Sequence, residues 1–381
     1  MKFASLGDVA TIDRQSISPE GIHDGTMYVG LENIVSGGEL TSIGPVSNGD
    51  LASSKFIFNH NHILYGKLRP YLAKIAVPGF EGVCSTDILP IRVGPDMDKM
   101  FVAHYLRQSH IVKQVNGLAS GANLPRVSPT SLATIRIPVP PLTEQKRIAA
   151  ILDKADDLRA KRRQAIAHLD ALTQSIFHSM FEKTQHQTSS IELADAVAPG
   201  TVVTYGIVQA GEEFPGGIPY IRTGDLSGGR IASEKLRRTD PVIASKFERS
   251  RVSADDIVMS IRATVGTVAQ VPPALDGANL TQGTARIAPG PDMTSSYLLE
   301  YLRAEPTQRW IQRNVKGATF KEITLERLRR LPVSVPPLEL QQTFANRIAA
   351  VERLKETHRK HLAELDALFA SLQSRAFKGE L

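Results

Sequence analysis

Two stretches of the chain carry apolar residues at spacings of three and four over nearly forty positions with no Gly or Pro among them. In the first, the stripe runs through Ile148, Ile151, Ala155 and Leu158, then through Ala165, Leu169, Leu172 and Ile176. In the second it runs through Phe344, Val351 and Leu354, then Leu365, Leu368 and Leu372. That is a heptad seam. Each stretch predicts a helix of roughly 39 residues, about 58 Å at 1.5 Å per residue. Prolines precede both, as in "IPVPPL" from Ile137 to Leu142, and hold the entry extended. Thr143 reads as the N-cap of the first helix, with Glu144 in its first turn. Arg162 interrupts the first seam and His358 stands in the same slot of the second. Each fixes register or sits at the margin, with its stem buried and its head in water. A helix so long with one apolar stripe needs a partner. The nearest is the other copy, giving an antiparallel pair; the alternative is that each helix packs only on its own globule.

Outside the helices the pattern changes to short β-like runs such as "HILYGKLRPYLAKIAV", "ILPIRV" and "DIVMSIRATVGTVAQV", separated by Gly, Asn and Asp turns. One helix is expected in each globule, at 99–116 and 295–315. The chain is also a repeat of itself. At a constant offset of 196 positions, "YLRQSHIVKQVNGLASGA" falls on "YLRAEPTQRWIQRNVKGA", "GPDM" on "GPDM", "VPPL" on "VPPL" and "LDAL" on "LDAL". Upstream the match is looser: "YVGLENIVSGG" resembles "YIRTGDLSGG" and "KLRPYLAKIAV" resembles "SIRATVGTVAQ", which sets Arg69 against Arg262. The expected order is a globule (1–137), a long helix (138–184), a second globule (185–333) and a second long helix (334–381). The fold class is α/β or α+β, two globules in tandem with an antiparallel helical coiled coil.

Composition narrows this picture. The 381 residues include a single cysteine, Cys84, so there is no internal disulfide and no thiolate-rich zinc site. The N-terminus lacks an apolar signal-like run and nothing is long enough to span a membrane, so a cytoplasmic location is expected. Net charge is +6, which permits an acidic partner. Lys and Arg exceed Asp and Glu by 12 to 11, 8 to 6, 18 to 16 and 7 to 6 in the four segments, so no segment is a basic tail. A nucleic-acid surface has to be assembled by folding.

Catalytic signatures are sparse. There is no G-x-x-x-x-G-K-[ST] phosphate loop and no Asp/Asn-Pro-Pro-aromatic run. "FNHNHIL" holds His60 and His62, which a strand would place on one face, and "PDMDK" holds Asp96 and Asp98. Either pair could serve a nuclease; the plainer readings are solvated or locally hydrogen-bonded histidines and a loop that supplies acids to a helix start. The basic and aromatic stretch "YGKLRPYLAK" says more. On a strand, Lys67, Arg69 and Tyr71 share a face, with Lys74 following, suited to phosphates and guanine edges. A solvated charged strand is the alternative. "ASGANLPRVS" and "VKGATFKEIT" place a glycine turn beside Asn123 and Arg126, or Lys316, Thr319 and Lys321.

The run "SGANLPRVSPTSLATIRIPVPPLTEQKRIAAILDKAD", its second form "KGATFKEITLERLRRLPVSVPPLELQQTFANRI" and "YGKLRPYLAK" together resemble the specificity subunits of type I restriction-modification systems, over essentially the whole chain. The resemblance implies two target recognition domains, each reading half of a split double-stranded DNA site. The helices would set the spacer between the halves and dock two modification subunits. It implies no catalysis by this chain. S-adenosylmethionine would belong to the modification subunits, and ATP and Mg to restriction subunits that could join. DNA contacts are expected from Lys67, Arg69, Tyr71, Lys74, Asn123 and Arg126 in the first globule. In the second they are expected from Arg222, Arg262, Thr264, Lys316, Thr319 and Lys321. Glu144, Gln145 and Gln341 are expected to meet the partner subunits, although Leu340 stands where the first copy has Glu144 and "GKLRPYLAK" occurs only in the first globule. A rival reading is a protein-binding scaffold that does not touch DNA.

Overall fold

The computed structural model describes residues 2–185, 190–317 and 320–381. The chain forms two compact units, and neither is a continuous segment. One is Met1–Gln164 with Arg359–Leu381; the other is Ala165–His358. Each therefore holds one globule, the adjoining part of one long helix and a part of the other. Leaving single turns aside, the helices are α1 (Lys99–Leu106), α2 (Ser109–Gly117), α3 (Leu142–Gln185), α4 (Ser295–Arg303), α5 (Glu305–Asn314) and α6 (Leu338–Lys378).

The first unit is built on an antiparallel sheet in the order Ala10–Ile12, Ile88–Val93, His62–Gly66, Ile75–Ala76. Alternation along these strands sends side chains to two cores. Ile63, Tyr65, Ile75, Leu89 and Ile91 pack with α1, α2 and the long helices. Leu64, Ala76 and Ile88 face the other way, toward Val29, Phe58 and Cys84 of a five-stranded sheet. The second unit repeats this order with Thr204–Tyr205, Thr284–Ile287, Ile257–Ser260 and Val268–Gln270. There Ile257, Met259 and Ile287 face the helices, and Val258 and Ala269 face a smaller sheet. The expected 99–116 helix is two helices, broken where the Arg107 guanidinium turns to donate twice to the Ile75 carbonyl. Its counterpart breaks at Ala304, where Pro306 in the first turn of α5 ends the preceding ladder.

Within each unit the two helical segments run antiparallel. In the first, Arg147 donates to the Leu381 carbonyl while Arg159 meets Asp366. Phe377 packs tilted against Phe101 and edge-on against Tyr105, each at 5.1 Å between ring centres. In the second, Phe177, Phe181, Tyr297 and Phe344 form one aromatic knot, and Asp170 meets Lys355. Each globule thus packs on both helices, so the alternative of a helix serving only its own globule does not hold.

The seam differs from its expected course. Ile148, Ala155 and Phe344 are buried, and Ile151, Ala165, Leu169, Ile176, Val351, Leu365 and Leu372 half-buried. But Leu158, Leu172, Leu354 and Leu368 are 43–49% exposed and are not helix-pair core. The inward step from Ala155 is four residues, to Arg159, and the equivalent position in α6 is Lys355. Arg159 bonds Asp156 and Asp366 at 2.6 Å and lies 4.4 Å over the Phe369 ring. Lys355 bonds Asp170 and Glu352. Long cationic stems fill the seam and their heads are neutralised there, which leaves the neighbouring leucines outside it. Thr143 falls inside the first turn of α3 and does not cap it.

Candidate nucleic-acid interface

The Lys67–Lys74 stretch is not a strand. The strand ends at Gly66; Arg69 has φ 51°, Pro70–Leu72 form a 3-10 turn, and Ala73 has φ 48°. Pro70 has no N–H to offer a ladder. The neighbouring N–H groups bond outward instead, Lys67 to the Asp87 carbonyl and Arg69 to Pro125. Lys67, Arg69 and Tyr71 therefore do not alternate on one strand face. They lie on a turn clasped to the Ser120–Arg126 hairpin by Arg69 N–H to Pro125 O (2.7 Å) and Val127 N–H to Lys67 O (3.0 Å).

The second unit builds the same clasp: Ala263 N–H to Lys321 O (3.0 Å) and Ile323 N–H to Ile261 O (3.0 Å), beside the Lys316–Glu322 hairpin. Ala263 has φ 61° and so occupies the place of Arg69. Arg262 corresponds to Leu68, one position earlier than the sequence alignment has it. In both hairpins a glycine takes the left-handed region, Gly121 at φ 104° and Gly317 at φ 92°. A β-carbon there would meet the carbonyl of Leu124 or Phe320. The glycine is what lets the backbone approach the carbonyl of residue 124 or 320 so closely.

Charge on the two platforms is arranged differently. In the first, Asp87 receives both Arg126 (3.2 Å) and Lys67 (3.7 Å). In the second, Glu322 stands where the first has Arg126 and pairs with Arg262 at 3.1 Å. These pairs are partly exposed, so each is worth roughly 0–1 kcal/mol and a cation can exchange its carboxylate for a phosphate at little cost. Arg69, Asn123, Thr264, Lys316 and Lys321 are exposed; among the described residues no ion pair involves Arg69, Lys316 or Lys321. Tyr71 is 52% exposed. Lys74 is turned inward, its ammonium on the Leu31 carbonyl at 2.6 Å. Arg222 is bidentate to Asp225 (3.0 and 2.9 Å), a contact that raises the guanidinium above its ordinary value. Thr223, beside it, donates to the Gly283 carbonyl, which also accepts from Ile261, so Arg222 borders the same platform. Thr319 lies outside the described residues. The expected set missed Asp87, Glu322, Leu124 and Phe320. The 196-residue offset pairs Leu124 with Phe320 and Arg126 with Glu322, and was the available signal.

The residues expected to dock partners divide. Glu144 is on the surface, paired with Arg147 at 2.8 Å, which holds its carboxyl below the usual range. Gln145 and Gln341 are fully buried and cannot meet a partner. Gln145 donates to the Asp96 and Pro140 carbonyls (3.0 and 2.9 Å) and accepts from Asp98 N–H (2.9 Å). Gln341 repeats this on Asp292, Pro336 and Thr294. Asp98 and Thr294 are the N-caps of α1 and α4. Each glutamine is a staple that ties the proline entry of a long helix to the start of a globule helix.

The nuclease clusters dissolve in the same way. His62 is buried between Asn59 and Asp13, and Asp13 is also held by Arg92 at 2.8 Å. The carbonyls of His60 and Asp96 accept hydrogen bonds from Lys99 and Gln145, and Asp98 caps α1. Among the described residues, no three His, Cys, Asp or Glu side chains gather in a metal-binding group.

A family model described as the type I restriction modification DNA specificity domain matches residues 1–168 and again 207–367. The chain is 25% identical over 315 residues to the type I restriction enzyme EcoBI specificity subunit of Escherichia coli, covering 74% of this chain and 66% of that one. It is 22% identical over 323 residues to the MjaVIII specificity subunit of Methanocaldococcus jannaschii, covering 80% and 75%. The match to the EcoBI subunit thus spans just under two thirds of that protein's length. In fold it is similar to the type I restriction-modification system S subunit from M. genitalium, with 14% identity, TM-score 0.53 and 99% and 96% of the two chains covered. It is also similar to a chain from a study of complex assembly and conformational transition of the type I R-M system, with 20% identity, TM-score 0.51 and 100% and 98% covered.

Proposed function

The chain belongs to the family of type I restriction modification DNA specificity domains, and from that premise we propose that it is the DNA-addressing subunit of a type I restriction-modification complex. Each unit reads one half of a split site in double-stranded DNA, and α3 and α6 set the unread spacer. The observation that carries this is the repeated platform. The same turn-and-hairpin clasp is kept in both units while the side chains on it differ: Arg69, Tyr71 and Arg126 on one, Ala263, Phe320 and Glu322 on the other. A kept frame with changed side chains is what two readers of different bases need. Arg69, Lys316 and Lys321 supply phosphate contacts that fix orientation, and Lys67, Arg126 and Arg262 can join them by leaving their carboxylates.

The chemistry belongs to partners. Two modification subunits dock on the long helices, hold S-adenosylmethionine and methylate an adenine taken out of the stack. Restriction subunits with ATP and Mg complete the cleaving form, and the assembly works in the cytoplasm. In support, no helix among the described residues is long and apolar enough to cross a membrane. The test is site selection by the chain assembled with its modification subunits. Arg69→Ala is expected to weaken preference in the first unit's half-site and leave the other half unchanged. Equal loss in both halves would contradict the division of labour.

A further inference from the structure

Phe320 is 88% exposed, the most exposed of the large apolar side chains on the described surface. A single exposed apolar side chain is ordinary by itself; Phe320 is set apart by the cations beside it on a platform that the second unit shares with the first. It lies between Lys316 and Glu322, which pair across the hairpin, and next to Lys321; Lys316 and Lys321 are exposed and without an ion pair among the described residues. Its repeat partner Leu124 is also exposed, at 45%. In the first unit the exposed ring of the platform is instead Tyr71, on the other loop of the clasp; the second unit buries Val265 in that part of its turn. The two platforms each present an apolar group between cations, but from different loops.

We propose that Phe320 is an apolar wedge that the second unit places against a base step of its half-site, with Lys316 and Lys321 on the flanking phosphates. The ring face is sequence-tolerant and the cations are complementary to the backbone, which is the combination that wedge-bearing DNA binders use to unstack a step. This rests on the reading that the platform meets DNA. A ring at residue 320 in one unit and a leucine at residue 124 in the other makes the second half-site the one whose stacking is disturbed.

The experiment uses the chain assembled with its modification subunits and duplexes of its selected site, with 2-aminopurine placed in turn at each step of the second half-site away from the adenine that is methylated, which the modification subunit itself takes out of the stack. Wild type is expected to raise the probe's fluorescence at one step. Phe320→Ala is expected to abolish that rise and weaken binding about 5- to 160-fold, with the salt slope unchanged. Phe320→Trp restores both. Lys321→Ala does the converse, reducing the salt slope by about one and keeping the fluorescence rise. Phe320→Ala binding with wild-type affinity and fluorescence would overturn the wedge and leave the DNA-addressing role intact. Weaker binding without any probe signal in wild type would make Phe320 an ordinary contact and also overturn it. Wild-type complex that shows no site preference would overturn both.

Discussion

Truncating Gln145 to Ala should unfold the first unit more easily, and truncating Gln341 the second. Each change leaves one backbone N–H and two carbonyls without their partner around a fully buried side chain: Asp98, Asp96 and Pro140 in the first, Thr294, Asp292 and Pro336 in the second. An unsatisfied buried group costs about 1–3 kcal/mol. Three together would cost up to ~9 kcal/mol, and water entering the vacated space brings the expected loss to about 3 kcal/mol. With a urea dependence of roughly 1–3 kcal/mol per molar, the midpoint falls by about 1–3 M. The chain's single tryptophan, Trp310, packs against the core of the second unit. Tryptophan fluorescence therefore reports that unit and far-UV circular dichroism reports both. Gln341→Ala is expected to move the fluorescence midpoint further than Gln145→Ala does, while both move the dichroism curve. Glu144→Ala, at a surface ion pair next door, is the control and should stay within about 0.5 kcal/mol of wild type. Wild-type midpoints for both glutamine variants, with modification-subunit binding lost, would refute the staple and return these residues to partner docking.

Lys355→Met should be nearly neutral, within about 1 kcal/mol, since an apolar stem replaces an apolar stem and the carboxylates left behind are half in water; Arg159→Ala should cost more, because it also empties the face of Phe369. Thermal melts compare the two. Cys84 is buried and its thiol is pushed up to about 12 by that burial, so a thiol reagent at pH 8 should label the chain only in denaturant. Arg92 holds the Asp13 carboxyl below its ordinary 3.8. A depressed carboxyl stabilises above the unfolded value and loses that contribution as pH falls through the folded one, so Asp13→Asn should flatten the acid limb of an unfolding profile below about pH 4. Removing one heptad from each long helix in register shortens each by about 10 Å, and the spacer in selected sites should shrink by about three base pairs with both half-site sequences unchanged.

Much of the architecture could be read from the chain because repetition and helical periodicity are local or self-referential signals. The 196-residue offset exposed the duplication, and the gap-free apolar stripes exposed α3 and α6. What failed were inferences that needed a third dimension. Leu158 and Leu354 read as seam residues because leucine usually is one, whereas Arg159 and Lys355 enter the seam with acids brought from the other helix, invisible in either stretch alone. Lys67–Lys74 reads as a strand until Pro70 and two left-handed residues break it. Gln145 and Gln341 look like surface residues because glutamine usually is one; two of the three partners of each are backbone groups 47–49 positions away. Phe320 went unmarked because exposure is not a property of sequence.

The central claim is that this chain addresses methylation to a split DNA site. The direct measurement is methylome sequencing of a host that expresses the chain with its modification subunit, against the same host with the chain deleted. A two-part motif, adenine-methylated on both strands, is expected in the first host and is expected to disappear on deletion. An active, well-expressed modification subunit with the same methylome in both hosts would contradict the claim.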